Sequence, residues 1–211
     1  MIRLLIADDH PVVREGLRRI VADRPELEVV GEAINGDEVL TLLRRLPADV
    51  VLLDIAMPGP GFLQVLEHLR AEHPSVAVLV LSVHPEDQYA VRALRSGAAG
   101  YLTKDHSPEQ LVDAIRKVHR GGKYVSPTLA ERLAADLASA GTRNARHEGL
   151  SHREYEVLCL LGSGRTVKEI SVELRLSPKT ISTYRARVLE KMRATTNADL
   201  VRYAAQHGLI R

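Results

Sequence analysis

The sequence predicts an α/β domain built on a doubly wound, five-stranded parallel sheet, followed by a smaller all-α domain of four helices. Three observations carry this. Short apolar runs alternate with helical periodicity through residues 2–119, the pattern of repeated β–α units on a parallel sheet. Residues 148–211 carry four closely spaced helix-start signals instead. The charge changes with the architecture: residues 1–149 hold 18 Lys+Arg against 21 Asp+Glu, and residues 150–211 hold 11 against 6. An acidic front and a basic rear suit a regulatory domain joined to a polyanion binder, although a solvated basic face gives the same count.

Ile2-Arg3-Leu4-Leu5-Ile6-Ala7 is an apolar strand running into Asp8-Asp9-His10-Pro11, acids at its carboxyl end and then a Pro suited to start a helix. Val12, Val13, Gly16, Leu17, Ile20 and Val21 recur at helical spacing. Leu27–Glu32 reads as a second strand, at a sheet edge. A helix through Val39, Leu40, Leu42, Leu43 and Leu46 ends at Pro47. Asp49-Val50-Val51-Leu52-Leu53-Asp54 is a strand buried on both faces, because four consecutive aliphatics leave it no polar side. Met57-Pro58-Gly59-Pro60-Gly61 cannot continue it, so Asp54 opens into a loop at the edge where open α/β sheets place their chemistry. The bland alternative is that Asp54 caps the next turn.

A helix with Phe62, Val65, Leu66 and Leu69 follows, and Pro74 stops it. Val76–Leu81 is a fourth strand, ending on Ser82; the helix after it runs from Glu86 to Ser96, and Gly97 closes it. Gly100–Thr103 is the fifth strand, ending on Lys104. Ser107, Pro108 and Gln110 supply cap, first-turn Pro and capping-box positions for a helix whose apolar side is Leu111, Val112, Ile115 and Val118.

Four strands therefore finish in an acid pair, an acid, a hydroxyl and an amine. Three carboxylates brought together repel unless a cation joins them, and a hard divalent ion with oxygen ligands such as Mg²⁺ fits. With that metal, Ser82 and Lys104 around it, Asp54 is placed to accept a phosphoryl group as an acyl phosphate.

Gly121-Gly122 closes the first domain, read as residues 2–119. A linker over 120–147 follows, with a connecting helix over 127–138 through Leu129, Leu133 and Leu137. The stretch from Ala138 to Gly149 is small, polar and aperiodic, a flexible tether. In the rear domain, residues 148–211, Ser151…Glu154 and Thr166…Glu169 are capping boxes, Ser177-Pro178 is a cap with Pro at the first helical position, and Thr196 with Asp199 starts a fourth helix. The helices fall near 152–162, 167–174, 178–192 and 197–206. The gap Arg175-Leu176-Ser177 has the length of a helix-turn-helix connection.

In the third rear helix Ile181, Val188 and Met192, with Tyr184 and Leu189 beside them, form the inward stripe. Lys179, Thr180, Ser182, Thr183, Arg185, Ala186, Arg187 and Lys191 are the candidate DNA contacts. Cations, small hydroxyls and a methyl suit a helix in a major groove; the competing reading is an ordinary amphipathic surface helix. Leu200, Val201 and Ala204 on the fourth helix are the candidate contact between two copies.

Aliphatics must fill the core, since the chain is 45% hydrophobic with few Phe and Tyr and no Trp. The longest unbroken apolar run, Val76–Leu81, is too short to cross a membrane, and no signal peptide is visible. The lone Cys159 argues against disulfides and suits a reducing cytoplasm. No GxGxxG or GxxxxGK[ST] run occurs, which disfavours a nucleotide fold.

On these residues, the stretch from 2 to 119 resembles the receiver domain of bacterial two-component response regulators. The resemblance implies that Asp9 and Asp54 bind Mg²⁺ directly, that Asp8 acts through water, and that the Ala56 carbonyl is a further ligand. It implies a switch made of Ser82, Tyr101 and Lys104, in which phosphorylation of Asp54 by a sensor histidine kinase draws Ser82 toward the phosphoryl group and lets Tyr101 turn inward. The run Leu150-Ser151-His152-Arg153-Glu154…Val157-Leu158…Gly164…Lys168-Glu169-Ile170…Leu174…Leu176-Ser177-Pro178-Lys179-Thr180-Ile181 resembles the LuxR-type helix-turn-helix. Together the domains resemble the NarL/FixJ class, and the run from Ser177 to Arg187 with the ending His207-Gly208-Leu209 is similar to its GacA/UvrY branch. Such a protein is expected to bind double-stranded DNA, to pair as a homodimer when phosphorylated or on DNA, and to work in the cytoplasm without a membrane.

Two departures from the family pattern stand out. Asp54 and Gly61 are seven positions apart where the family has eight, so the loop by the metal is one residue short. Lys104 is followed by Asp105 and not by Pro, so no cis-proline is implied there. Two other readings compete with a phosphorylation-switched transcription factor. A haloacid-dehalogenase-like hydrolase would want Asp-x-Asp at the nucleophile, and Asp54 is followed by Ile55 and Ala56. A phosphate-independent interaction module is compatible with the short loop but is opposed by the acid pair, Ser82 and Lys104.

Overall fold

The computed structural model describes residues 1–83, 86–138, 146–174 and 176–210. The chain divides into two compact units, Met1–Gly141 and Thr142–Arg211.

In the first unit the strands are β1 (Ile2–Ala7), β2 (Leu27–Ala33), β3 (Val50–Asp54), β4 (Ala77–Ser82) and β5 (Gly100–Thr103). All pair in parallel, in the order β2-β1-β3-β4-β5. The chain winds outward in both directions from β1 and β3, whose carboxyl ends lie side by side with Ala7 opposite Leu53. A crevice opens at such a reversal, and it is where this fold places ligands. Every residue of β3 is buried, as its unbroken aliphatic run demands, whereas β2 at the edge is half-buried along most of its length.

Helices α1 (Pro11–Ala22) and α5 (Pro108–His119) cover one face, where Leu17, Val21, Leu111 and Ile115 pack with Leu4, Ile6, Leu52 and Leu79. Alternation along the strands sends Leu5, Val51, Leu53 and Val80 to the opposite face, with α2 (Gly36–Leu43), α3 (Phe62–Glu72) and α4 (Glu86–Arg95). Val12 departs from the expected apolar stripe: it is 84% exposed, and the inward side of α1 begins one residue later. Helix α2 also stops short of Pro47. The amides of Arg45 and Leu46 both turn back to the Leu42 carbonyl, closing the helix before the proline can clash with its preceding turn. Gly97 closes α4 as expected, with φ at 111° and the Ala98 amide donating to the Ala93 carbonyl.

The open side of β5 is covered by the chain that follows α5. The Tyr124 amide donates to the Ala99 carbonyl at 2.9 Å, and the Tyr101 amide donates to the Tyr124 carbonyl at 3.2 Å. Gly100 permits the approach, since a Cβ there would lie 2.8 Å from the Tyr124 carbonyl oxygen. Helix α6 (Pro127–Ala138), expected as a connector, belongs to this unit, contacts α4 and buries Leu129. Leu133 is half-buried, and the side chain of Leu137 lies outside the described residues.

The second unit holds α7 (His152–Gly162), α8 (Val167–Glu173), α9 (Pro178–Met192) and α10 (Asn197–Gln206). Ser151, Thr166 and Thr196 each close a full capping box, and Ser177 caps α9 with Pro178 behind it. Ile181, Val188 and Met192 are buried, as is Cys159. Arg175, in the expected helix-turn-helix gap, lies outside the described residues, as does most of the expected tether, 139–145. The tether's far end is not loose: Arg146–Gly149 is a 3-10 turn, fastened where Arg146 Nη1 donates to the Met192 carbonyl at 3.2 Å and His147 Nδ1 lies 2.9 Å from the Tyr203 hydroxyl. Leu200 and Ala204, expected to be available to a second copy, are fully buried within their own domain. A Cβ on Gly162 would lie 2.8 Å from the Ala204 methyl, so α10 is pressed against α7; of the three residues only Val201 is exposed.

Candidate functional site

The carboxyl ends of β1, β3, β4 and β5 converge at the reversal point. Asp8 and Asp54 are almost fully buried, Ser82 fully so, and Asp9 is partly exposed. One ligand atom from each of Asp8, Asp9, His10 and Asp54 falls within 4.8 Å of the others. Lys104 Nζ donates to Asp8 Oδ2 at 2.6 Å and sits 3.1 Å from Asp54 Oδ2, and the Lys104 amide ties β5 to β4 through the Ser82 carbonyl at 2.7 Å. Burial pushes the Asp54 carboxyl up, Lys104 opposes this and Asp8 adds to it; the net position is above the ordinary carboxylate range. The Ala56 amide donates to Asp54, so the capping contact of the bland reading is present inside the cluster.

Two oxygens stand out. Asp9 Oδ1 and Asp54 Oδ2 are buried without an aligned hydrogen bond, Lys104 lying beside Asp54 but off the bonding direction. Buried carboxylate oxygens in excess of donors are what a hard divalent cation satisfies, so the residues present fit such an ion.

Tyr101, expected as part of the switch, is fully buried in β5. His10 was not visible as a site residue from sequence. Its amide donates to Asp8 Oδ1 at 2.8 Å and its Nδ1 lies 2.9 Å from Asp9 Oδ1. Adjacency to the acid pair was the signal that could have found it.

In the second unit Lys179, Ser182, Thr183, Ala186 and Arg187 form the exposed side of α9. The Ser182 hydroxyl donates to the Pro178 carbonyl and the Thr183 hydroxyl to the Lys179 carbonyl, so each presents its oxygen outward as an acceptor. Thr180 is half-buried and shares a 2.8 Å contact with the Ser177 hydroxyl. Two of the expected contacts have partners inside the domain: Arg185 Nε donates to Asn197 Oδ1 at 2.7 Å, and Lys191 Nζ to Glu154 Oε2 at 2.6 Å.

A doubly wound sheet with an acid cluster and a lysine at its reversal point, joined in one chain to a helix-turn-helix unit, defines a two-component response regulator with a DNA-binding output domain. Residues 4–116 match the response regulator receiver domain and residues 148–204 match the bacterial regulatory proteins of the luxR family, so the chain belongs to the LuxR-type response regulators. It is 40% identical to the response regulator GacA of Pseudomonas aeruginosa over 210 residues, covering 100% of this chain and 98% of the relative. It is 36% identical to the response regulator UvrY of Escherichia coli over 209 residues, covering 99% and 96%. Among solved structures, RcsB from Salmonella enterica serovar Typhimurium, bound to promoter P1flhDC in the presence of phosphomimetic BeF3−, matches at a TM-score of 0.60 and 26% identity, with 97% of this chain and 98% of that one covered. Among the described residues no helix is long and apolar enough to cross a membrane.

Proposed function

We propose that phosphorylation of Asp54 by a sensor histidine kinase controls pairing of this chain and its sequence-specific binding to double-stranded DNA, and thereby transcription. The observation that carries the reading is the meeting of Asp8, Asp9, Asp54 and Lys104 at one end of the parallel sheet. In this reading residues 2–119 are the receiver, 120–147 the linker and 148–211 the DNA reader.

Asp54 is the nucleophile, its carboxylate oriented by the Ala56 amide. Asp9 and Asp54, with the Ala56 carbonyl, would hold Mg²⁺ directly and Asp8 would hold it through water; bound there, the ion offsets charge on the transferring oxygens. Lys104 shifts from its bond with Asp8 toward the phosphoryl oxygens, and the Ser82 hydroxyl closes on the same group. Ala56, two residues after Asp54, offers only a methyl toward an attacking water, so self-dephosphorylation is slow. Tyr101, buried in β5, completes the switch with Ser82 and Lys104.

On the output side, dimers of RcsB have been seen on DNA. By analogy this chain pairs on DNA half-sites. Lys179 and Arg187 meet phosphates, Thr180, Ser182, Thr183 and Ala186 lie toward base edges, and Arg185 and Lys191 stand at the margin of the interface. Labelling with acetyl phosphate, with and without Mg²⁺, tests the reading. Wild type should label only with the metal and Asp54→Asn not at all. Labelling that survives loss of Asp54 would overturn it.

A further inference from the structure

We propose that Arg14 is a positioning residue of the acid site, aiming Asp9 at the divalent cation by pinning the peptide bond between Asp8 and Asp9. The inference rests on the metal-binding reading of that site.

Arg14 stands one helical turn beyond His10 on α1, and its side chain is only 16% exposed. Its Nη1 donates to the Asp8 backbone carbonyl at 2.8 Å, and its Nε donates to Glu32 Oε2 at 3.0 Å near the end of β2. Every polar group of Asp8 is thereby engaged. The Asp8 amide donates to the Ala33 carbonyl, Oδ1 accepts the His10 amide, Oδ2 accepts Lys104, and the carbonyl accepts Arg14.

Asp9 is held differently. Its Oδ1 is buried with no aligned hydrogen bond, and its near neighbour, the His10 ring, is half-exposed. Apart from that contact, the direction of the Asp9 side chain is set by its backbone. That direction follows from the orientation of the preceding peptide plane, and the carbonyl of that plane is the one Arg14 holds. The second arm of the guanidinium, on Glu32, makes the hold rigid, because a planar fork with both prongs engaged cannot swivel. Outer-shell groups of this kind orient ligands and change metal affinity without touching the ion.

A purely structural role, tacking α1 to β2, is the competing explanation, and nearby residues separate the two. Arg18 also reaches Glu32, at 3.5 Å, and among the described residues no hydrogen bond or ion pair joins it to Asp8. Mg²⁺ affinity of the full chain, measured by titration calorimetry, is compared for wild type, Arg14→Ala, Arg14→Lys, Arg18→Ala and Glu32→Gln, alongside acetyl phosphate labelling over a Mg²⁺ series. Arg14→Ala should weaken Mg²⁺ binding about tenfold, with labelling at saturating Mg²⁺ within about twofold of wild type. Arg14→Lys, which keeps a donor but not the two-pronged fork, should weaken it about threefold, and Arg18→Ala should match wild type. Unchanged Mg²⁺ affinity in folded Arg14→Ala overturns the proposal, as does a loss in Glu32→Gln as large as that in Arg14→Ala. Should Arg14→Ala fail to fold, Arg14→Lys decides: Mg²⁺ affinity equal to wild type there overturns it. A wild type that binds no Mg²⁺ removes the underlying reading of the site, and the wild-type arm alone reveals that.

Discussion

Lys191 on α9 and Glu154 on α7 share a 2.6 Å ion pair, and the same carboxylate oxygen accepts the Ser151 amide at 2.8 Å. One nearly buried group thus closes the capping box of α7 and anchors the far end of α9. Burial pushes the Glu154 carboxyl up, but Lys191 and Ser151 outweigh it, leaving it below the usual range.

Lys191→Met should therefore act first on stability. It strands a carboxylate whose side chain is 4% exposed, at a cost of about 1–3 kcal/mol, the lysine itself being half in solvent. Adding Glu154→Gln, which can still accept the Ser151 amide, should restore much of the loss. A melting temperature unmoved by Lys191→Met would count against this anchoring.

Reading and holding DNA should separate along α9. Removing Lys179 should weaken binding to every sequence and lower the salt slope by about one unit. Thr183→Val keeps the methyl but loses the outward oxygen, and should cost roughly 1–3 kcal/mol on the cognate site and little on scrambled DNA. Binding of both variants to both duplexes across a salt series checks this; equal losses for Thr183→Val on the two duplexes would remove the base-reading role.

Gly36→Ala should disturb the loop after Asp54 from a distance. The Gly36 amide approaches the Pro58 carbonyl at 3.4 Å, and a Cβ there would lie 2.8 Å from Val65 Cγ2 and 2.9 Å from Pro60 Cγ. Overpacking of this kind costs about 1–3 kcal/mol. Thermal unfolding should show the loss, and slower acetyl phosphate labelling should accompany it; wild-type values for both would refute the coupling.

The pair Arg3–Asp49 gives a pH signature. The guanidinium holds the Asp49 carboxyl well below its ordinary 3.8, at about 2. A depressed carboxyl stabilises the folded chain above its unfolded value and loses that contribution as pH falls from about 4 toward 2, on the order of 1 kcal/mol after screening. Asp49→Asn should thus lower the melting temperature at neutral pH, with the gap to wild type closing across that window. A gap constant down to pH 2 would exclude the mechanism.

Strands and helix starts were legible in the sequence wherever local chemistry decides them. The run Val50–Leu53 could only be buried on both faces, and Ser107, Ser151, Thr166 and Thr196 each announced a cap that forms. Asp8, Asp9, Asp54 and Lys104 could be grouped in advance because parallel strands deliver their carboxyl ends to one place. What stayed hidden depends on contacts between distant segments. Nothing local distinguishes Lys191, held by Glu154, from Arg187, which faces solvent, and nothing near Leu200 says that Gly162 clears a path for α10 to lie against α7. Nothing local marks Arg14 either, whose reach to the Asp8 carbonyl depends on the fold.

The strip of backbone that Tyr124 lays along β5 decides where this chain can be cut. A fragment ending at His119 would keep every side chain of the acid site, yet it would bare the Ala99 carbonyl and the Tyr101 amide on an open strand edge. Such an edge is a template for another copy, and the fragment should self-associate through β5. Carrying the fragment through α6 keeps the edge closed and buries Leu129. The smallest well-behaved piece of this receiver is thus longer than the five β–α units that define it.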